Sequence, residues 1–115
     1  MSYSFTREQR LLTAKDFGYV FDHPTRLSDR FFTVLAKKQL SPKQARLGLA
    51  IAKKNLKRAH DRNLVKRVVR ESFRLNQEKL MGFDIVVLVK GNVSLDNREL
   101  LHQSLKQHWE KIEKL

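Results

Sequence analysis

Apolar residues recur along the chain with two different periods. Phe17, Val20 and Phe21 fall at the i, i+3, i+4 spacing of one helical face. Thr13, with Asp16 three residues on, supplies an N-cap signal for that helix, and Asp22-His23-Pro24 ends it because proline disfavours a helical residue before it. Phe31 to Lys37 (FFTVLAK) is rich in β-branched and aromatic residues and reads as a strand. Ser41-Pro42-Lys43 marks a turn, after which Arg46 to Ala52 (RLGLAIA) alternates in period two. Leu47, Leu49 and Ile51 share one face of that strand, while Gly48, Ala50 and Ala52 leave the other face small. Such a face admits the close approach of a helix or of a ligand backbone, and helix packing is the plainer reading.

A helical pattern then runs from about Ala59 to Lys79, with Met81-Gly82 as its stop. Asp84 to Lys90 (DIVVLVK) is continuously apolar rather than alternating, as expected of a central strand covered on both faces. Gly91-Asn92 breaks it. Asp96 with Glu99 offers a second capping signal, and Leu100, Leu101, Leu105, Trp109 and Ile112 form a helical stripe to the C-terminus. The order helix, two or three strands, helix, strand, helix predicts an α/β (α+β) two-layer sandwich built on a small mixed sheet. No repeat or linker divides the chain, so residues 1–115 are expected to form a single domain.

Composition narrows the class. With 115 residues, the chain can bury roughly two thirds of its extended surface. Hydrophobic residues make up 41 % and charged residues 31 %, a globular rather than disordered balance. The longest apolar run, Ile85 to Val89, is far short of the roughly 20 residues a membrane helix needs. The stretch MSYSFTREQRLLT has no apolar segment resembling a signal peptide and no lipidation motif, so a cytoplasmic location and no membrane partner are expected. Cysteine is absent, which excludes disulfide frameworks and thiolate metal sites.

Charge changes the picture most. Twenty-four Lys and Arg against twelve Asp and Glu leave a net charge of +12. A compact domain carrying that excess repels itself, which points to a polyanionic partner and first to nucleic acid. The excess is concentrated between Lys53 and Arg74, where nine basic residues face only Asp61 and Glu71. At about 100° per residue from Arg62, the side chains of Lys66, Arg70 and Arg74 step round at about 40°, 80° and 120°, with Asn63 near 100° and Arg67 near 140°. Leu64, Val65, Val68, Val69, Ser72, Leu75 and Asn76 fill the opposite arc, with Phe73 at its boundary. A merely solvated face usually places Glu four residues before Lys, whereas this one sets like charges at i, i+4, each pair being mildly destabilising. Glu71, near 180°, is expected to lie too far round to neutralise the row. Arginine predominates, which suits bidentate phosphate contact. The strand-rich flanks argue against a helix-turn-helix reader of DNA and in favour of RNA gripped through phosphates and shape.

These residues also carry a family resemblance. Ala52 to Arg74 (AKKNLKRAHDRNLVKRVVRESFR) resembles the signature region of the bacterial ribonuclease P protein component, a Lys-Lys after a strand followed by an Arg-Asn-x-x-Lys-Arg-x-x-Arg helix. Arg62, Asn63, Lys66, Arg67 and Arg70 match position by position, and RLLTAKDFGYVF, RLGLAIAKK and DNREL extend the likeness over nearly the whole chain. Many members carry arginine where this chain has Leu64, a departure that removes one potential RNA contact.

The resemblance implies a protein subunit of ribonuclease P, the endoribonuclease that removes the 5′ leader of precursor tRNA with catalytic groups supplied by its RNA subunit. No catalytic residue is then expected in this chain. The implied RNA-subunit contacts are Lys53, Lys54, Arg62, Asn63, Lys66, Arg67, Arg70 and Arg74. The implied cleft for the single-stranded leader uses Phe17, Phe21, Phe32, Ala50 and Lys54, where aromatic faces could stack bases. For Phe17 and Phe21 core packing is an equal reading, since the same spacing serves both. Some members have serine in place of Ala50 and tyrosine in place of Leu35. Mg2+ is expected to be held mainly by the RNA subunit and substrate, with no metal site assigned to the protein. The family fold is a ribosomal-protein-like domain with a left-handed βαβ crossover, where physics alone favours the right-handed connection. The expected partners are the ribonuclease P RNA subunit and precursor tRNA, with no obligate protein partner.

The alternative is a non-catalytic ribosomal or RNA-assembly protein, which composition alone does not separate from this reading. A self-sufficient nuclease would need convergent acid and base groups or a carboxylate metal cluster, and His23, His60, His102 and His108 are scattered.

Overall fold

The computed structural model describes residues 10–115 apart from positions 12, 42 and 94. The expected turn at Ser41-Pro42-Lys43 therefore falls partly outside the described residues, as does the segment before Arg10. The elements are α1 (Ala14–Phe21), β1 (Thr25–Ser28), β2 (Phe32–Lys38), β3 (Arg46–Ala50), α2 (Ala59–Leu75), β4 (Phe83–Val89) and α3 (Arg98–Glu113), with a 3-10 turn, Gln77–Leu80, after α2. The strand β1, which no local pattern singled out, completes a four-stranded sheet ordered β1-β2-β4-β3. β2 pairs antiparallel with β1 and β4, whereas β3 and β4 are parallel neighbours joined through α2. This is the mixed sheet that the element order predicts, with a βαβ crossover as the family resemblance implies.

Strand parity divides the core in two. Phe32, Val34 and Ala36 of β2, Ile85, Val87 and Val89 of β4, and Leu47 of β3 pack with Val65, Val68, Val69 and Phe73 of α2 and Leu101, Leu105, Trp109 and Ile112 of α3. The opposite face presents Leu35 and Val86, which pack with Leu11 and with Val20 of α1. β4 is thus covered on both faces, the reason its sequence is unbroken rather than alternating.

The small face of β3 receives a helix. A Cβ on Gly48 would stand 2.7 Å from two carbons of the Phe17 ring, so only glycine lets α1 settle there. At the start of α1, Asp16 N donates to Thr13 Oγ1 at 3.1 Å, the expected cap.

Four expectations at helix ends are corrected. α2 stops at Leu75 rather than Lys79, because the Asn76 side chain donates to Ser72 O at 2.7 Å while its backbone N–H reaches only to Phe73 O. That i→i−3 bond tightens the chain into the 3-10 turn. Leu75, assigned to the apolar arc, is consequently exposed. At the other helix the cap is Asn97, not Asp96: its side chain accepts from Leu100 N at 3.3 Å. Leu100 lies about 100° or more round the helix from Leu101, Leu105, Trp109 and Ile112, so it is exposed while those four are buried.

Candidate nucleic-acid interface

α2 positions the basic row. Its buried stripe fixes the rotation of the helix, so Asn63, Arg67 and Arg70 are exposed and Lys66 and Arg74 half-buried on the outer side. Asn63, Lys66, Arg67, Arg70, Glu71 and Arg74 line a shallow groove of about 450 Å3. Glu71 belongs to this groove, contrary to the expectation from the wheel. It stands four residues after Arg67 and three before Arg74, within neighbour distance of both on a helix.

A further cation joins the row from outside α2. Leu11 N donates to Leu47 O at 3.0 Å, and Arg10 bridges to Leu47 along the free edge of β3. Burial lowers the pKa of the Arg70 guanidinium, and the positive charge of Arg10 adds to the effect. No local signal could have found Arg10, because its approach depends on pairing with a strand far along the chain.

Arg62 behaves differently from the rest. It is half-buried, and its Nη1 donates to Leu56 O and to Lys57 O, each at 2.8 Å. Lys53 and Lys54 lie exposed in the turn after β3, closed by Asn55 N donating to Ala52 O at 2.9 Å.

The sheet face bearing α1 holds the other predicted residues, with one exception. Phe17 and Phe21 stack with ring centroids 6.5 Å apart and planes at 25°. Phe17 is half-buried over Gly48, whereas Phe21 is 49 % exposed. Ala50, on the same face as Gly48, is exposed, and Lys54 follows it in the turn. Phe32 is the correction: it is 0 % exposed within the core under α2 and α3, on the opposite face from Phe17. It has no surface to offer a base. Leu35, where some members have tyrosine, is buried beneath α1.

Sequence reading also missed a cationic and aromatic pair beside this face. The Lys37 ammonium lies 4.4 Å from the Tyr19 ring centroid and donates to Asp22 O, while Tyr19 Oη donates to Lys38 O at 2.7 Å.

Three of the four histidines have separate surroundings. His23 pairs with Asp22 at the surface, and His60 is exposed at the start of α2. His108 is buried, with Nε2 3.2 Å from Asp29 Oδ2. Among the described residues no group of three or more His, Cys, Asp or Glu could hold a metal ion. No described helix is long and apolar enough to cross a membrane.

Comparison with known proteins agrees with this geometry. A Ribonuclease P protein component of Photorhabdus laumondii is 53 % identical over 108 residues, covering 92 % of this chain and 88 % of the relative. That of Histophilus somni is 49 % identical over 108 residues, covering 93 % and 89 %. The RNase P protein of Thermotoga maritima superposes with a TM-score of 0.78 at 31 % identity, covering 90 % of this chain and 96 % of that one. A mutant RNase P protein of Staphylococcus aureus does so with a TM-score of 0.83 at 26 % identity, covering 94 % and 90 %. Residues 5–113 match the family described as Ribonuclease P, and the chain belongs to that family as a ribonuclease P protein component.

Proposed function

We propose that this subunit divides its work between the two sides of its sheet. The outer face of α2, with the Lys53-Lys54 turn, grips the phosphates of the ribonuclease P RNA. The face bearing α1 holds the single-stranded leader of precursor tRNA against Phe17, Phe21, Ala50 and Lys54. The observation that carries this reading is the rotation of α2: its apolar stripe is spent on the core, leaving Lys66, Arg67, Arg70 and Arg74 together around one groove. Phosphate contact relieves the repulsion that such a row otherwise imposes on the fold.

The chain itself contributes binding and orientation rather than bond cleavage. Its acidic groups near the row are Glu71, among three arginines, and Asp61, which accepts from Arg58 Nε at 3.0 Å. Neither forms part of a carboxylate cluster of the kind that holds magnesium. In this reading the Mg2+ of the reaction is held mainly by the RNA subunit and substrate, and the protein raises its effectiveness by fixing the RNA around it. Cytoplasmic action, where precursor tRNA is processed, follows from this role.

The test is cleavage of precursor tRNA at low magnesium. The purified chain alone is expected to be inactive and to raise the rate of the ribonuclease P RNA. Cleavage by the RNA-free chain that survives repurification, or selective copurification with ribosomal RNA instead, would overturn the reading.

A further inference from the structure

The first arginine of the basic motif does not stand with the others. Arg67 and Arg70 are exposed, but the Arg62 guanidinium is turned back toward the loop that leads into α2. Arg58 is the N-cap of α2 and makes no side-chain capping bond. Arg62 is therefore the fourth residue of the helix, and Leu56 and Lys57 are the two residues just before the cap. In many helices an apolar pair joins the residue before the cap to the fourth helical residue and sets the angle at which the chain enters. Here a guanidinium does the same with two carbonyls, both 2.8 Å from one nitrogen. A charged donor makes such bonds stronger than neutral ones.

The loop so held is the one that carries the lysines. It is pinned at its other side too, where Asn55 Nδ2 donates to Val89 O at 3.0 Å, and Leu56 is buried in the core. Between these anchors Lys53, Lys54 and Lys57 are exposed. Three ammonium groups are thus carried by a backbone with little freedom, beside the first turn of a helix whose outer face is basic. Holding binding groups in place before association removes an ordering cost that binding would otherwise meet.

We propose that Arg62 is a positioning residue for the Lys53, Lys54 and Lys57 loop rather than a phosphate contact in its own right. The inference rests on the reading of this surface as the RNA-binding face. It changes what the motif means: the arginine is required for its reach and for the two bonds of one terminal nitrogen to the loop carbonyls, not for a phosphate contact of its own.

The experiment measures affinity and salt dependence for the ribonuclease P RNA with full-length protein. The variants are Arg62→Ala, Arg62→citrulline, Lys53→Ala/Lys54→Ala/Lys57→Ala, and the last combined with Arg62→Ala. Citrulline is neutral but keeps a terminal NH2 donor of the same reach. Arg62→Ala is expected to weaken binding about tenfold, the scale of losing hydrogen bonds to a charged group. In the triple-lysine background the same change is expected to cost less than about twofold, because coupled residues are not additive. Arg62→citrulline, whose neutral donor makes weaker bonds, is expected to lose less affinity than Arg62→Ala and to keep the parent's salt slope. A slope reduced by about 0.7–0.9 with citrulline, the loss of one phosphate contact, would overturn the proposal, as would an equal cost of Arg62→Ala in both backgrounds.

Amide hydrogen exchange of residues 53–57 in the free protein separates this from the functional reading. Faster exchange in Arg62→Ala, restored by citrulline, is expected whatever the RNA partner. Unchanged loop exchange in the folded Arg62→Ala variant defeats the positioning role, whereas failure of the parent protein to bind the RNA defeats the functional reading alone.

Discussion

Arg46 and Asp84 are direct cross-strand partners in the parallel β3/β4 pair, and their side chains close a two-point ion pair: Nε to Oδ1 at 2.9 Å and Nη2 to Oδ2 at 2.6 Å. Asp84 is 1 % exposed, and Gln39 Nε2 adds a third bond to its Oδ1 at 2.8 Å. Arg46 also lies 3.6 Å from Asp16 of α1, so one guanidinium joins the sheet to the helix that carries Phe17 and Phe21. Hydrogen bonding to Asp84 raises the pKa of that guanidinium further above its ordinary value, against the effect of burial. Arg46→Met leaves a buried carboxylate without its cation, and a loss of about 3–5 kcal/mol is expected in urea unfolding. A loss below about 1 kcal/mol would mean that solvent reaches Asp84.

Gly48→Ala drives a methyl group into the Phe17 ring. Because the added Cβ would stand 2.7 Å from the ring, Phe17 and α1 must shift, costing about 1–3 kcal/mol as overpacking does. Shortening the neighbour with Phe17→Leu in the same chain is expected to recover part of that loss. Additive losses in the double variant would show that Phe17 is not what excludes the methyl group.

Phe21→Ala separates recognition from stability. Its ring is half exposed, so the unfolding free energy is expected to change by less than about 1 kcal/mol. Binding of a precursor tRNA with a leader is expected to weaken by about 1–3 kcal/mol, the scale of one base stacked on an aromatic ring. Binding of leaderless tRNA serves as the control and should not move.

The α2 row predicts a salt dependence. With Arg62 occupied by carbonyls, Lys66, Arg67 and Arg70 are the groove-lining helix cations on which the proposed phosphate contact is tested. Arg67→Ala and Arg70→Ala are each expected to lower the slope of log K against log salt by about 0.7–0.9. Full affinity and an unchanged slope in both variants would remove this face from the RNA contact.

Acid is expected to destabilise the domain through His108 and Asp29. Burial lowers the His108 pKa below 6.5, and the nearby Asp29 charge only partly opposes it. The folded protein therefore holds this ring neutral, and the stability tied to it is present in full above the unfolded value of about 6.5 and lost as pH falls below it. Asp29 resists the upward effect of burial: the Ser104 hydroxyl and the Phe32 and Phe31 N–H groups together lower its pKa below 3.8. Its contribution has the same sign and fades only in stronger acid, as pH falls through that lowered value. Urea unfolding from pH 8 to 5 should show decreasing stability in the parent protein and a flatter profile in His108→Leu. Equal pH dependence in both would assign the effect elsewhere.

Much of this was legible without coordinates because it depends on neighbours along the chain. A helix brings residues three and four apart onto one side whatever else happens, so the dry and basic faces of α2 and the Thr13 cap follow from spacing alone. The unbroken apolar run of β4 likewise announces burial on both faces. The motif residues identify the family for the same reason, being clustered within one helix and the turn before it.

Tertiary structure decided what depends on distant partners. Phe32 was read as a leader contact, but side chains alternate with period two, and the strand register sends it into the core under α2 and α3. Arg62 has the same composition and wheel position as a phosphate ligand, yet the path of the preceding loop brings two carbonyls to its guanidinium. Arg10 reaches Arg70 only because its segment pairs with β3 beside α2, and Asp29 reaches His108 only because α3 folds back on the sheet. The sequence by itself determined which residue types share a helix face and which family they belong to; register, loop path and long-range pairing decided which of them reach the surface and which are turned into the core or onto the backbone.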